Sequence, residues 1–290
     1  MFKFLRITLP FFFFVSFGSC TAQSSQEVVN YYDTGEIESK GTIINGQFEG
    51  LVTYFHKNGK KKTEAYFKNG VQDGEFKLYH ENGKLAGNGT FINGKQEGET
   101  WAYYDNGNKQ QVSQFKNGLR NGPSTIWYPE GPKKSEGNFL NGEQDGKVII
   151  WYPNGKIKET TENKNGLANG KIETFYDTGV KKHEGTYEMD KRVGIWKHWH
   201  PNGQKKAEGR FVNDKEEGKA TFWHPNGKLW EITEYQDGLT NGKGEAYYET
   251  GVKKYEGNYS MGKKVGIWRY YDINGKLRET INHDKENSGK

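Results

Sequence analysis

The chain has 290 residues and a formal net charge of +5; 32% of its residues are hydrophobic and 15% are aromatic. So little Leu, Ile and Val excludes an ordinary two-layer core and points to a thin, two-faced sheet. Cys20 is the single cysteine, which excludes an internal disulfide, and the interspersed charges lack the one-sided basic patch of a nucleic-acid binder.

At the N-terminus, Lys3 and Arg6 precede an apolar run from Ile7 to Phe17, and Gly18 and Ser19 lead into Cys20. This is the pattern of a secretory signal, because the run is broken by Pro10 and falls short of the ~20 apolar residues of a spanning helix. Cys20 stands where bacterial lipoprotein signals place the cysteine that receives the lipid. Residues 1–20 are therefore expected to be a lipoprotein signal with Cys20 as the attachment point, and ordinary secretion with cleavage before Gln23 is the alternative. The first route anchors the protein at a membrane of the cell envelope, and the second releases it as a secreted soluble protein. Residues 21–26 lack the acidic run of surface-exported lipoproteins, so the membrane-anchored form is expected to face the periplasm. Residues 21–30 are polar and are expected to form a tether.

From Tyr31 to residue 281 one period of 24 residues governs the chain. Glycines recur at Gly35, Gly59, Gly83, Gly107, Gly131, Gly155, Gly179, Gly203, Gly227, Gly251 and Gly275, each preceded by four residues by an aromatic, from Tyr31 and Phe55 to Tyr247 and Tyr271. A second ladder with the same step runs from Gly50 to Gly266. A fixed period of this length marks a repeat array whose units bury surface against their neighbours. Each unit carries two turn signals separated by short aromatic and polar runs, which predicts one β-hairpin per unit. The fold class is all-β: an extended single-layer antiparallel sheet of about ten hairpin repeats.

Pro129, Pro153, Pro201 and Pro225 stand two residues before first-ladder glycines. A two-residue Asn-Gly turn would set those prolines where the ladder needs an N–H donor. A type I turn with proline second and a left-handed glycine bulge avoids this. The bulged turn pairs the residue four before the glycine with the residue two after it: Trp151 with Ile157, Trp223 with Leu229, Tyr79 with Leu85 and Tyr271 with Leu277. The residue eight after the glycine, Phe211 for example, is expected on the same face as Trp223. The second signal, such as Asn69 to Gly74, is expected to be a loop. Residues 282–290 are polar, lack the repeat's aromatics, and are expected to be a tail.

The stretch Glu256-Gly-Asn-Tyr-Ser-Met-Gly-Lys-Lys-Val-Gly-Ile-Trp-Arg-Tyr-Tyr-Asp-Ile-Asn-Gly-Lys276 resembles the variant MORN repeat found in bacterial YwqK-type antitoxins. The resemblance covers residues 31–281 and implies a single sheet of hairpins used for protein or membrane contact. Asp190 and Asp214 depart from it, standing where most units have glycine. The antitoxin role it implies, sequestering a toxin in the cytoplasm, conflicts with an export signal.

No catalytic constellation emerges from the repeat positions, so no enzyme activity and no cofactor are expected. His56, His80, His200 and His224 replace tyrosines three residues before the glycine, and copies one repeat apart lie ~10 Å from each other, too far to share a metal. The remaining aromatic surface points to binding. The expected activity is that of a non-catalytic protein-binding or scaffolding module with an unidentified protein partner, joined to the membrane through the N-terminal lipid. A glycan or cell-wall binder using aromatic platforms is the rival. Tryptophans collect in the C-terminal half, where an 18-residue stretch ending in Trp196 recurs ending in Trp268. Trp196, His198, Trp268 and Tyr270 are accordingly the expected partner-binding residues.

Deleting one whole 24-residue unit from an end is expected to leave the remainder folded with a stepwise loss of stability in chemical denaturation. A deletion of half that length reverses the hairpin phase and is expected to cost more.

Overall fold

Two kinds of turn, each set by its own residues, fold the period into hairpins. In the computed structural model, which describes residues 24–284, every regular element is a strand, and 23 strands form one antiparallel sheet. Each strand pairs with the next in the chain, from Ser25–Tyr31 against Ile37–Ile44 to Lys263–Tyr271 against Leu277–Asn282. One strand is interrupted at Asp145, so Glu143–Gln144 and Gly146–Trp151 both pair with Lys133–Leu140.

The first turn is the bulged one. Gly59 N donates to His56 O at 2.9 Å, His56 N donates to Lys60 O at 2.8 Å, and Gly59 has φ +79°. All eleven first-ladder glycines have φ between 79° and 107°, a region in which a Cβ meets the backbone. The second turn is shorter than the expected loop. It is a two-residue turn with both residues left-handed, as in Asn69 (φ 49°) and Gly70 (φ 76°), whose twist matches that of the strands it joins. The strand Val71–Tyr79 starts immediately after it, and Gly74 of the second ladder lies inside that strand as a bulge with φ 125°. Asp190 (φ 66°) and Asp214 (φ 69°) adopt the same turn, and their carboxylates accept the N–H of Ala168 and Arg192 at 2.6 and 3.0 Å. These bonds replace what glycine supplies elsewhere.

The expected pairs are present: Trp151 opposite Ile157, Trp223 opposite Leu229, Tyr79 opposite Leu85 and Tyr271 opposite Leu277. The expected shared face is not. Phe222 lies opposite both Glu231 and Ala207, and Ala207, Gly209 and Phe211 alternate along one face of their strand. Trp223, next to Phe222, therefore faces the other way from Phe211. Trp230 is the cause: it is an extra residue between Leu229 and Glu231, and one such bulge reverses the alternation of side chains. The same register shift follows every first turn.

One face is consequently packed and the other open. The packed face buries Val52, Ala65, Phe76, Val148, Ile172, Trp196, Ala220 and Trp268. With no second layer above them, large side chains lie sideways across neighbouring strands, and glycines make the room. A Cβ on Gly185 or Gly257 would enter the ring of Trp196 or Trp268.

Both ends differ from expectation. Residues 25–30, expected in the tether, belong to the edge strand Ser25–Tyr31, and Asn30 Nδ2 donates to Ser39 Oγ at 2.9 Å within that pairing. These residues occupy the second-strand position of a unit, so their backbone groups find partners in spite of their polar composition. At the other end His283 supplies the ring that the polar tail lacks, packing edge-on against Trp268 at 6.2 Å.

Replacing Gly227 (φ +81°) by Ala is expected to cost ~1 kcal/mol through backbone strain, measured by denaturant titration. Gly257→Ala is expected to cost about 1–3 kcal/mol because the buried Trp268 must move as well.

Candidate functional site

Successive hairpins are stapled along the first-turn edge. Tyr32 Oη donates to Phe55 O at 2.7 Å, His56 Nε2 to Tyr79 O at 2.9 Å, and the series continues through Tyr104, Tyr152 and His200 to Tyr248 on Tyr271 O. Asn58 and Lys60 add bonds to Glu81 O and Asn82 O, both at 2.9 Å. His56, His80, His200 and His224 thus do the work of the tyrosines they replace, donating from Nε2 to a carbonyl. Among the described residues no group of three or more His, Cys, Asp or Glu could hold a metal ion.

The open face carries the aromatics that stand four before each glycine. Lysine ammoniums lie over these rings: Lys133 is 5.7 Å from the centre of Trp151, Lys181 5.5 Å from Trp199 and Lys205 5.4 Å from Trp223. The same lysines pair with the glutamate three residues on, as in Lys205–Glu208 at 2.8 Å and Lys181–Glu184 at 2.7 Å. Hydrogen bonding from Lys181 holds Glu184 below the usual carboxylate range. Glu245 is held down at about 2, chiefly by Lys243, with Tyr247 Oη donating at 2.7 Å and Lys253 nearby.

The expected binding residues fall on the packed face. Trp196 is 3% exposed and Trp268 0%, so neither ring is free to anchor a partner. Trp268 is enclosed by Tyr259 at 4.9 Å and Tyr255 at 5.6 Å, Lys264 lies 4.4 Å over it, and its Nε1 donates to Asn258 O at 3.1 Å. Trp196 is enclosed by Tyr187 at 5.1 Å and Phe211 at 6.2 Å. Tyr270 and His198 are half-buried beside these rings, and Tyr270 Oη accepts from Lys264 Nζ at 2.9 Å. His198 faces His183 across the strands, with ring centres 5.7 Å apart. Burial pushes His183 down to about 4 and lowers His198 too, so both are neutral near pH 7. Tryptophan is large enough to fill the space above a glycine in a one-layer sheet, which is why the stretch that recurs is a core element and not an exposed platform. Cys20 lies outside the described residues.

A different line of side chains is largely exposed, with Ile44 and Leu167 half-buried. Beside every two-residue turn, on the open face or in the turn itself, stands one aliphatic or methionine: Ile44, Val71, Ile92, Leu119, Leu140, Leu167, Met189, Val212, Leu239 and Met261. Val71, Ile92, Leu119 and Leu140 are 46%, 51%, 50% and 50% exposed. Their cross-turn partners are Lys68, Lys95, Lys116 and Glu143. At ~10 Å per hairpin the line extends on the order of 90 Å. Each residue is unremarkable alone, and the line appears only when both sides of successive turns, and the turns themselves, are read together.

These features define a single-layer β-hairpin repeat protein with one packed face and one open face. The MORN repeat variant matches residues 48–69, 72–93, 144–165, 192–213, 216–237, 240–261 and 264–285, and the MORN repeat matches residues 112–132. The chain belongs to the MORN repeat variant family. Members of this class are commonly protein- or membrane-binding modules and are generally non-catalytic. No curated protein matches the chain. Solved structures similar to it include the crystal structures of TcdB2-TccC3 (11% identity, TM-score 0.21) and of TcdB2-TccC3-Cdc42 (11%, 0.20). Each match covers 92% of this chain and 18% of the other.

The folded pKa of Glu245 lies below the ordinary 4.5, so its contribution to stability is complete above that value and is lost as pH falls towards about 2. Glu245→Gln is expected to flatten the acid side of the stability curve across this interval, read from denaturant midpoints at successive pH values.

Proposed function

We propose that the protein is an exported scaffold, tethered through lipid on Cys20 at the periplasmic side of the cell envelope, that binds an elongated protein partner along the aliphatic line of its open face. One observation carries this reading: ten consecutive hairpins each carry an apolar side chain at the same edge, and all but Ile44 and Leu167 expose it. A regular exposed apolar line is a contact surface, and the lysines beside it suit a partner with acidic residues flanking an apolar stripe. Ring stacking by a glycan has less support, since lysines already lie over the ring faces of Trp151, Trp199 and Trp223. An anionic bilayer is the second reading, favoured by Lys68, Lys95 and Lys116 along the same edge. Among the described residues no helix is long and apolar enough to cross a membrane.

Cys20→Ser is expected to move the protein from the membrane to the soluble fraction of cells. A Cys20→Ser protein carrying Ile92→Glu, Leu119→Glu and Leu140→Glu is expected to remain folded and to lose the partner cross-linked by the otherwise unmutated line. Loss of binding to phosphatidylserine vesicles instead, with unchanged protein cross-links, would favour the bilayer. If neither binding changes, the line is not the contact surface.

A further inference from the structure

The two edges of the sheet are complementary to each other. Among the described residues each edge strand is paired on one side only, Ser25–Tyr31 with Ile37–Ile44 and Leu277–Asn282 with Lys263–Tyr271. A strand paired on one side leaves alternate N–H and C=O groups free for another chain. Ser25–Tyr31 holds the second-strand position of a unit and Leu277–Asn282 the first-strand position, so one edge and the other are the two halves of one hairpin pairing. The device that bends an edge away is missing too, since Gln26 stands where later units have the left-handed bulges Gly50 and Gly74.

The last turn keeps donors that reach ahead. Asn-Gly-Lys fills five first turns, beginning at Asn58, Asn82, Asn154, Asn226 and Asn274. In the first four, the asparagine Nδ2 and the lysine Nζ donate to carbonyls of the next turn, as Asn58 does to Glu81 O and Lys60 to Asn82 O, both at 2.9 Å, and Asn226 to Glu249 O and Lys228 to Thr250 O, also at 2.9 Å. Asn274 and Lys276 are exposed, and among the described residues no turn lies ahead of them. Glu81 and Asn82 hold the positions that Asp33 and Thr34 hold in the first unit, so those are the carbonyls that another copy would offer. One staple is lost at this junction. Asp272 replaces the tyrosine or histidine, and its carboxylate accepts the N–H groups of Asn274 and Lys276 at 3.0 and 2.9 Å.

Charge and shape agree with such a junction. From Ser25 to Ile37 one edge carries Glu27, Asp33 and Glu36 and no basic residue, whereas from Gly275 to Asn282 the other carries Lys276 and Arg278 against Glu279. On the packed face Val52 lies against Gly41, Phe76 opposite Ala65 and Ile172 opposite Thr161. The same register sets the half-buried Ile281 of one copy opposite the half-buried Val28 of another.

We propose that copies of this protein join head to tail, the strand Leu277–Asn282 of one copy pairing antiparallel with Ser25–Tyr31 of the next. Thr280 then faces Val29, as Lys40 faces Thr53 within the chain, and Asn274 and Lys276 donate to the carbonyls of Asp33 and Thr34. The contact is heterologous and leaves a free edge at each end, so the product is an open, growing row of copies.

The experiment is disulfide cross-linking of the full chain carrying Cys20→Ser, which removes the native thiol, together with Val29→Cys and Thr280→Cys. Facing residues on paired strands lie within disulfide reach, while the two cysteines of one copy sit on opposite edges of the sheet. Oxidation is expected to give a ladder of covalent dimers, trimers and longer species from the double-cysteine chain and none from either single-cysteine chain. Adding Asn274→Ala and Lys276→Ala removes two hydrogen bonds per junction and is expected to lower cross-linking ~10-fold at subsaturating protein. In the chain carrying Cys20→Ser alone, sedimentation velocity is expected to show mass rising with concentration, a readout that needs no further substitution. Absence of the ladder, the mass of one chain at every concentration, equal dimer formation by a single-cysteine chain (like edges meeting), or a ladder unchanged by the Asn274 and Lys276 substitutions would each overturn the proposal.

Discussion

A sheet of one layer has nothing above it to bury against, and almost every feature of this molecule follows from that constraint. Apolar groups can be removed from water only sideways, by lying across the neighbouring strand. The packed face therefore alternates wide rings with glycines, Trp196 over Gly185 and Trp268 over Gly257, so that each ring uses the space where the next strand has no Cβ. The open face uses the same device with charge. A lysine stem covers an aromatic ring while its ammonium pairs with a glutamate, as in Trp223, Lys205 and Glu208. Because all these contacts are between adjacent strands, stability is a sum of local terms along the array.

The turns set the geometry in which that sideways packing is possible. Left-handed backbone at Gly59 and at Asn69-Gly70 closes each hairpin in a fixed register, and the staple from Tyr32 or His56 to the next unit fixes the spacing between hairpins. Tyrosine and histidine are interchangeable in the staple because both present an N–H or O–H donor at the far end of a flat ring. They are not interchangeable on the packed face, where the Tyr255–Tyr270 pair and the His183–His198 pair create different chemistry from the same backbone.

What could be read from the sequence was what depends on local backbone preference. The period, the eleven left-handed glycines and pairs such as Trp223 with Leu229 follow from residues close together in the chain. The face of each side chain was not legible, because a single bulge at Trp230 reverses the alternation and no residue type marks it: Lys182 and Lys206 occupy the same position in other units. Trp196 and Trp268 were misplaced for a related reason, since exposure in a one-layer sheet depends on neighbours one strand away. His183 and His198 flank the Met189-Asp190 turn, and the 24-residue step does not bring them together. Their meeting needed the cross-turn pairing, as did the alternating aliphatic line.

The meander also decides how the protein responds to mechanical load. The chain enters at one edge strand, Ser25–Tyr31, and leaves at the other, Leu277–Asn282, while the ladder hydrogen bonds run along the line joining these edges. A pull between the ends is therefore carried by strand pairs in series and opens each from its end, in the manner of a zipper, instead of shearing many bonds at once. Under tension the array would pay out one hairpin at a time, each release lengthening the molecule by roughly 70 Å, while the hairpins still closed keep their full set of neighbours. A binding line built on such a ribbon shortens under force from its ends and leaves the middle for last.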